Sequence, residues 1–218
     1  MSADRNVERA AALDTATLSD ALDRLGIVGQ CYGVAGRDPG FEMAGRAFTM
    51  ICTPAAKPAG TVGDYIDDVP EGAIVVIDNG GRDDATIWGD ILTEIAHRRK
   101  LGGTLIDGIS RDVKLCRELG YPVFSKGHWM RTGKDRVQVE QMNCPVTIGG
   151  ARVSPNDLIR GDPDGVIVIP QVHEDSVLNA AEEIHAAEEK IRAACRTGIR
   201  LDEARRQFKY HSLQTRQD

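Results

Sequence analysis

The chain has 218 residues, a formal net charge of −6 at pH 7, 41% apolar residues and 28% charged residues. This length suits one domain with a sizeable core, so we expect residues 1–218 to form a single globular domain. The negative charge argues against a nucleic-acid partner, because binding to phosphates requires a basic surface.

Signals for export or membrane insertion are missing from the sequence. No apolar run approaches the roughly twenty residues of a membrane helix, and the charged N-terminal segment lacks the apolar stretch of a signal peptide. We therefore expect a cytoplasmic protein without a membrane partner. The cysteines argue against a disulfide framework or a zinc knuckle, because they are odd in number and never form a CxxC pair; they are Cys31, Cys52, Cys116, Cys144 and Cys195.

The first third of the chain contains one clear helix and one strand. Leucines at helical spacing predict a helix from Thr15 to Leu25, which Gly26 ends. A β-rich stretch follows from Arg46 to Thr53. The acidic segment from Thr61 to Pro70 is loop-like.

The middle third predicts three buried strands connected by two helices. Its short, continuous apolar runs indicate strands that are covered on both faces, as in a parallel sheet. Such a β-α-β-α-β unit predicts right-handed crossovers. The predicted strands are Ala73–Ile77, Thr104–Ile106 and Pro122–Phe124, the helices are Trp88–Lys100 and Asp112–Leu119, and the loops are Asp78–Ala85 and Asp107–Ser110.

Beyond residue 134 the predicted strands are short and turn-forming residues separate them, which indicates antiparallel hairpins. A long helix and a short one follow. The predicted class is therefore α/β, with a central parallel unit merged with a β-rich half and with helices near both termini. These later strands are Val137–Val139, Val146–Ile148, Arg152–Val153 and Val166–Ile169, and the helices are Glu174–Arg196 and Leu201–Phe208.

Three charged residues fall where predicted strands give way to helices. Asp90 lies in the first turn of one helix, and after twenty intervening residues Arg111 and Asp112 begin the next. Loops that leave the carboxyl ends of adjacent parallel strands lie side by side, so we expect one shared crevice. There the N–H groups at Gly89 to Leu92 can bind an anion, Arg111 can clamp a carboxylate, and Asp112 can hold a hard cation such as Mg²⁺.

Each of these residues also has an ordinary interpretation. Asp112 can cap a helix, Arg111 can be a surface residue, and Asp90 can complement the helix dipole, so only their co-location favours a site. The Gly80-Gly81 pair can instead cradle a phosphate, although no nucleotide-binding pattern is present. We interpret Arg82-Asp83 as a solvated pair in a loop, since no helix begins there.

Glu188 lies within an apolar seam of the predicted long helix. A carboxylate there needs a partner, since burying it unpaired is costly. Glu188 either sits at the edge of the seam and reaches solvent, or it reaches a metal or its waters, including those of a neighbouring subunit. The seam residues are Val177, Ala181, Ile184, Ile191 and Cys195.

No local pattern supports covalent catalysis by Ser or Cys, because a GxSxG elbow is absent; a Schiff-base lysine stays an alternative, although the nearest lysines, Lys114 and Lys126, lie outside the crevice loops. The histidines are dispersed without metal-ligand spacing, which favours structural or surface roles; they are His97, His128, His173, His185 and His211.

Four segments, TATLSDALDRLG, WGDILTEIA, GTLIDGISRDV and GDPDGVIVIP, are similar to those of a known family. Over nearly its whole length the chain resembles the RraA-like proteins, which include the class II 4-hydroxy-4-methyl-2-oxoglutarate/4-carboxy-4-hydroxy-2-oxoadipate aldolases. The aldolase signature of that family is an acidic residue, twenty residues, then Arg-Asp, and Asp90, Arg111 and Asp112 meet it. Family members that act as ribonuclease E inhibitors tend to lack the first acidic residue.

The resemblance implies an α/β sandwich of the RraA-like type, assembled as a homotrimer or homohexamer with sites between subunits. It also implies that Arg111 binds substrate oxygens and that four backbone amides bind the pyruvyl carboxylate. Those amides belong to Gly89, Asp90, Ile91 and Leu92.

The same resemblance implies a metal site. Asp112 would bind Mg²⁺ or Mn²⁺ directly, and a glutamate of an adjacent subunit, Glu188 or Glu189, would complete the water shell of the metal. Leu115 departs from the family pattern, because some members carry an acidic residue there.

These roles predict retro-aldol cleavage of a 4-hydroxy-2-oxo dicarboxylic acid that releases pyruvate, with oxaloacetate decarboxylase side activity through the same metal-stabilised enolate. The alternatives are a related lyase that acts on another 2-oxo acid and a non-catalytic RraA-type regulator that binds a ribonuclease or helicase. Asp90 speaks against the regulator.

Overall fold

The structure is a computed structural model that describes residues 4–210, and this part of the chain contains six α-helices and ten strands. The helices are α1 (Arg5–Ala11), α2 (Thr15–Leu25), α3 (Asp90–Arg98), α4 (Val113–Leu119), α5 (Glu174–Arg196) and α6 (Leu201–Gln207). The strands are β1 (Ala35–Gly36), β2 (Met43–Pro54), β3 (Ile74–Arg82), β4 (Gly103–Ser110), β5 (Val123–His128), β6 (Val137–Met142), β7 (Val146–Ile148), β8 (Ala151–Val153), β9 (Leu158–Asp162) and β10 (Gly165–Ile169).

Eight strands form one sheet in the order β1-β5-β4-β3-β2-β9-β10, with β6 paired to β2 outside this path. Strands β2, β3, β4 and β5 are parallel neighbours, and the other pairings are antiparallel. Strands β7 and β8 form a separate antiparallel hairpin. The predicted parallel unit is therefore confirmed, and β2 adds a fourth parallel strand to it.

The apolar residues of the parallel strands are buried, as their continuous runs predict for a sheet covered on both faces. Residues 74–77 of β3 have no exposed surface, and every residue of β4 is buried. A second apolar cluster forms where α1, α2 and α5 pack against β9 and β10. The helices near both termini thus cover the antiparallel half of the sheet.

The predicted loops Asp78–Ala85 and Asp107–Ser110 lie largely in β3 and β4, so this part of the prediction is wrong. Their polar residues indicated loops, because a buried carboxylate without a partner would be costly. The carboxylate of Asp107, however, forms an ion pair with Lys126 at 2.6 Å and accepts a hydrogen bond from the backbone N–H of Gly149 at 3.3 Å. With these partners a polar residue is compatible with a buried strand.

The Gly80-Gly81 pair forms an irregularity in β3 and does not lead into a helix. Both glycines have positive φ values, +62° and +68°, and the pairing with β4 shifts register at this point. Helix α3 begins only at Asp90, so the pair lacks the helix start of a phosphate loop. Arg82 ends β3 and pairs with Asp84 at 3.0 Å, which differs from the loop position expected for it.

Strand β9 was not predicted. Its central residue, Arg160, is only 5% exposed, and the guanidinium donates hydrogen bonds to the carbonyl oxygen of Leu13 at 3.0 Å and to the carboxylate of Glu42 at 2.8 Å. Because a charged residue lies at the centre of this short strand, its sequence lacks the apolar pattern that predicts a strand. The predicted antiparallel hairpins are confirmed by the pairs β7–β8 and β9–β10.

Helices α2 and α5 have the predicted bounds. The carboxylate of Asp14 accepts a hydrogen bond from the backbone N–H of Thr17 at the start of α2, and Gly26 adopts a left-handed conformation at its end. Between residues 4 and 210, none of the helices combines the length and the apolar character that a bilayer crossing requires.

Asp162 joins α2 to the β9–β10 turn. Its buried carboxylate accepts hydrogen bonds from the backbone N–H and the hydroxyl of Thr15, at 2.7 and 2.6 Å, and from the backbone N–H of Asp164 at 2.9 Å. We predict that Asp162→Ala lowers the free energy of unfolding by about 3 kcal/mol, because buried donors lose a charged acceptor. Urea denaturation measures this loss. The exposed Asp164→Ala control should change it by less than about 0.5 kcal/mol, and equal losses would contradict the prediction.

Candidate active site

The segments that precede α3 and α4 lie side by side, as expected for adjacent parallel strands. The backbone N–H of Arg111 donates a hydrogen bond to the carbonyl oxygen of Trp88 at 3.1 Å, which joins the two segments. The carboxylate of Asp112 accepts a hydrogen bond from the backbone N–H of Asp90 at 3.0 Å and lies 3.2 Å from Nε of Arg111. The structure thus brings together all three charged residues of the predicted crevice.

Gly89 makes this close approach possible. A Cβ atom at position 89 would lie 2.9 Å from Oδ2 of Asp112 and 3.0 Å from Nε of Arg111. The backbone of Gly89 is extended, with φ −151°, so glycine is favoured here by the space that Asp112 and Arg111 occupy and not by its conformation.

Asp112 stands at the N-cap position of α4, but its side chain does not cap the helix, so the interpretation of its carboxylate as a helix cap is wrong. Its backbone is left-handed, with φ +57° and ψ +36°, and its side chain makes no capping hydrogen bond to α4. A left-handed conformation costs a residue with a side chain about 1 kcal/mol. In this conformation the carboxylate of Asp112 contacts the start of the neighbouring helix instead.

The start of α3 already binds two carboxylates of the protein. The N–H of Asp90 donates to Asp112, and the N–H of Ile91 donates to Oδ1 of Asp90 at 2.8 Å. Within residues 4–210, the N–H groups of Gly89 and Leu92 have no hydrogen-bond acceptor. The first turn of α3 therefore offers two unpaired N–H donors at the positively polarised end of a helix, the arrangement that favours an anion.

The start of α3 opens into a cleft of about 380 Å³. Arg111 lines this cleft, together with residues of three further segments of the chain. Those are Thr61, Val62, Gly63, Asp64, Ile66 and Asp67 in the first, Thr86 to Leu92 with Ile95 in the second, and Thr132 and Gly133 in the third.

A buried hydrogen-bond network supports the start of α3 on the side that faces the core. The hydroxyl of Thr93 donates to the carbonyl oxygen of Gly89 at 2.8 Å and accepts from Nε1 of Trp88 at 2.9 Å. Trp88 is 1% exposed and stacks on Tyr121 with ring centroids 6.1 Å apart and an interplanar angle of 7°. This network fixes the Gly89 backbone to the core.

Cys116, a buried residue of α4, also contacts this network. Its sulfur lies 3.5 Å from the hydroxyl of Thr93 and 3.7 Å from the carbonyl oxygen of Asp112. Burial raises the pKa of the Cys116 thiol, so the group is protonated at neutral pH and is a poor nucleophile. None of the four histidines in residues 4–210 lines the cleft, and His211 lies outside the described residues.

Glu188 does not join the cleft within one chain. Its carboxylate pairs with Arg192 on the same helix at 3.0 Å, and its side chain is 18% exposed. Helix α5 packs against α1, α2 and α6. Within the chain Glu188 therefore occupies the edge of the seam, and its role toward a neighbouring subunit stays a prediction. The same holds for Glu189, which pairs with Arg192 at 2.6 Å.

Thr93 and the cleft wall formed by Asp64 and Asp67 were not among the predicted site residues. The position of Thr93, four residues after Gly89 on a helix, permits a hydrogen bond from its hydroxyl back to that carbonyl oxygen. The acidic segment that contains Asp64 reads only as a loop, and no local pattern places it beside α3.

A family model described as "RraA-like: Aldolase/RraA" matches residues 15–168, which is more than half of the chain. The chain belongs to the RraA-like family. The match includes the whole Asp90, Arg111 and Asp112 cluster, and the eight-stranded sheet with its terminal helices is the fold of RraA-like structures.

Two relatives are similar to this chain over most of its length but differ in how much of their own length the match covers. The chain is 39% identical over 201 residues to Protein DlpA of Legionella pneumophila, a match that covers 90% of this chain but only 32% of DlpA. It is 30% identical over 177 residues to a protein of Halalkalibacterium halodurans named "Putative 4-hydroxy-4-methyl-2-oxoglutarate aldolase". This match covers 81% of this chain and 82% of that protein.

Two solved structures are similar over most of the chain. An uncharacterized protein from Pseudomonas syringae has a TM-score of 0.86 and 38% identity, over 92% of this chain and 96% of that chain. RraAS2 of Streptomyces coelicolor, described as an unusual member of the RNase ES inhibitor RraA protein family, has a TM-score of 0.77 and 26% identity. That match covers 85% of this chain and 95% of RraAS2.

We predict that Thr93→Val lowers the free energy of unfolding by about 2 kcal/mol, because the buried N–H of Trp88 loses its acceptor while the shape of the side chain is retained. Thr93→Ser keeps the hydroxyl and should lose less than the valine variant. Chemical denaturation followed by tryptophan fluorescence measures both. A smaller loss for valine than for serine would contradict a role for the hydroxyl.

Proposed function

We propose that this RraA-like protein is a divalent-metal-dependent lyase that cleaves a 4-hydroxy-2-oxo acid by a retro-aldol reaction and releases pyruvate. Oxaloacetate decarboxylation is the expected side reaction, because it forms the same enolate. The contact between the Asp112 carboxylate and the Asp90 N–H, beside Arg111, carries the proposal, since it joins a metal-binding oxygen to an anion-binding helix start. The aldolase names of several relatives support the same reaction class.

The oxygen donors at the site suit a hard cation that keeps most of its water. Residues 4–210 contain no group of three or more His, Cys, Asp or Glu side chains that could hold a metal by themselves. Mg²⁺ needs no such cage, because one carboxylate, substrate oxygens and waters suffice, and Mn²⁺ accepts the same ligands. Asp112, with a side chain 37% exposed, would be the direct ligand. When bound, the cation supplies Lewis-acid stabilisation of negative charge on the pyruvyl group.

Arg111 and the first turn of α3 would hold the pyruvyl carboxylate. In the free protein, two of the amides in residues 89–92 donate to the carboxylates of Asp112 and Asp90. If Asp112 held the metal, the N–H of Asp90 would be free for the substrate carboxylate, next to the unpaired N–H groups of Gly89 and Leu92. The planar guanidinium of Arg111 can donate two parallel hydrogen bonds to the same carboxylate or to the adjacent oxo group.

The reaction breaks the C3–C4 bond of the substrate. The proton of the 4-hydroxyl leaves, C4 becomes a carbonyl carbon, and the electron pair of the broken bond moves into the enolate of pyruvate, which is then protonated at C3. Arg111 is a fixed positive charge that stabilises this enolate. No His, Lys or Cys lies among the described lining residues, so we assign to the exposed carboxylate of Asp90 the orientation of the water that carries these protons.

We further propose that the protein assembles as a homotrimer or homohexamer with its sites between subunits. In residues 4–210, no hydrogen bond or ion pair joins Glu188 to the cleft of its own chain. A role for this carboxylate near the metal waters therefore requires a second copy of the chain. Most soluble homo-oligomers are closed and symmetric, so the same shared site would form at every equivalent interface between subunits.

A regulator that binds a ribonuclease is the second candidate, and the similarity to RraAS2 favours it. Asp90 speaks against it, because the resemblance connects this acidic residue with the aldolase members of the family. Recovery of a ribonuclease in a pull-down, together with no pyruvate chemistry in any metal, would support the regulator.

We predict that pyruvate is released from oxaloacetate and from 4-hydroxy-4-methyl-2-oxoglutarate, that EDTA abolishes this release, and that Mg²⁺ restores it. Asp112→Asn and Arg111→Ala should each lower kcat about a thousandfold or more, because they remove a fixed charge at the reacting group. Asparagine tolerates the left-handed backbone, so the first variant tests the charge alone. Coupling pyruvate to lactate dehydrogenase measures the rates.

Asp83→Asn is the matched control, because the exposed Asp83 belongs to the other Arg-Asp pair of the chain and should leave the rates unchanged. No turnover of either substrate in any metal would contradict the proposed function. Full metal-dependent activity of Asp112→Asn would contradict the proposed site.

Glu188→Gln and Asp112→Asn should complement each other if the site lies between subunits. Each variant alone has only defective sites, whereas randomly mixed oligomers recover about a quarter of the intact sites. Activity is measured after the two variants are dissociated, mixed and reassembled. A mixture of Asp112→Asn with Arg111→Ala is the control, because both residues lie in the same half of the site. Equal activity in the two mixtures would contradict a shared site.

A further inference from the structure

The donors that the proposed function gives to the substrate carboxylate already hold a carboxylate of the protein. Oδ2 of Asp112 accepts a hydrogen bond from the backbone N–H of Asp90 at 3.0 Å and lies 3.2 Å from Nε of Arg111. A substrate carboxylate that binds the first turn of α3 and Arg111 would need the same two donors. Asp112 and the substrate therefore compete for one place.

The surroundings of Asp112 fit its carboxylate into this place. A Cβ atom at Gly89 would lie 2.9 Å from Oδ2 of Asp112, so the oxygen lies in space that a larger residue would fill. The backbone of Asp112 is left-handed, with φ +57°, a conformation that few residues with a side chain adopt. The side chain makes no capping bond to α4, so helix capping does not explain this orientation. The observed partners of the carboxylate are the two donors themselves.

The contact leaves only part of the first turn of α3 open to another anion. The N–H of Ile91 donates to Oδ1 of Asp90 at 2.8 Å, whereas the N–H groups of Gly89 and Leu92 have no acceptor in residues 4–210. An incoming carboxylate would find these two donors, but it would meet the negative charge of Asp112 at the third. Without a metal, the protein should therefore bind a carboxylate weakly.

We infer that Asp112 is an internal occupant of the carboxylate site, and that the site becomes available to substrate once Asp112 turns to a divalent cation. This inference rests on the proposed function, which makes Asp112 the metal ligand, and it adds an order of binding in which the metal precedes the substrate. Two ligands that both require the loss of one contact raise each other's affinity by the same factor. Protein without metal would thus not retain a 2-oxo acid that it cannot cleave.

Binding of pyruvate in the presence of EDTA tests the competition, because it requires neither metal nor turnover. Asp112→Asn removes the charge but keeps an oxygen that can accept from the N–H of Asp90, whereas Asp112→Gly removes both. Both replacements tolerate the left-handed backbone. NMR titration of the ¹⁵N-labelled protein with pyruvate measures the Kd of each variant.

We expect the metal-free Kd for pyruvate to fall about threefold in Asp112→Asn, the scale of one exposed charge pair. It should fall about tenfold in Asp112→Gly, because the N–H of Asp90 is then also released. Equal Kd values for the wild type and both variants would overturn the inference. A gain in the asparagine variant without a further gain in the glycine variant would indicate charge repulsion alone, and it would overturn the inference as well.

Asp64→Asn is the matched control for charge. The exposed Asp64 lines the same cleft, but in residues 4–210 its carboxylate accepts no hydrogen bond from the first turn of α3. Its replacement should change the metal-free Kd for pyruvate by less than about twofold, because an exposed charge is screened by salt. A gain as large as that of Asp112→Gly would overturn the assignment of the effect to Asp112.

The amide resonance of Asp90 reports the contact directly. Saturating Mg²⁺ in the wild type and the Asp112→Gly replacement should shift this resonance in the same direction, because both remove its acceptor. Mg²⁺ should leave it unchanged in Asp112→Gly. A wild-type resonance that does not move with Mg²⁺ would overturn the inference.

Exchange of the pyruvate methyl protons with D₂O in the same Mg²⁺ samples separates the two proposals, because it requires enolate formation but no particular order of binding. Exchange together with an unmoved Asp90 resonance would overturn this inference and leave the proposed function standing. No exchange with any metal would overturn the proposed function, and the order of binding with it.

Discussion

The hydrogen bond from the backbone N–H of Asp90 to the carboxylate of Asp112 determines the geometry of the candidate site. Three neighbouring features are needed for it to form. Gly89 leaves space for the carboxylate, the left-handed backbone of Asp112 directs it away from its own helix, and the N–H of Arg111 joins the two segments. Together these features place a carboxylate, a guanidinium and a helix start in contact, and they do so before any substrate binds.

The core supports this contact through few groups. Trp88 is stacked on Tyr121 and donates to the hydroxyl of Thr93, which in turn donates to the carbonyl oxygen of Gly89. A site that binds charge must hold its donors in position, because the free energy of reorganising them would otherwise oppose catalysis. The acidic segment around Asp64 is held to the core separately, by the buried side chains of Tyr65 and Ile66 and by the hydrogen bond from Arg99 to the carbonyl oxygen of Asp67.

The parallel unit and the positions of Asp90, Arg111 and Asp112 could be predicted because apolar runs and helix starts are local signals. The orientation of Asp112 could not, since its acceptor role depends on a residue 22 positions away. The same reason explains why the strand position of Asp107 was missed. Its burial depends on Lys126 and on the β7–β8 hairpin, and such pairings are set by tertiary structure, which overrides local preference.

The left-handed backbone at Asp112 also bears on how a lineage with this fold can change. Glycine and asparagine adopt this conformation at least as readily as aspartate does. Replacement of Asp112 by either residue would remove the carboxylate while leaving the path of the chain and the buried Trp88 network in place. The proposed chemistry and the folding are thus separable by one substitution, and a descendant could lose the proposed chemistry while keeping an intact surface on which selection for another role can act.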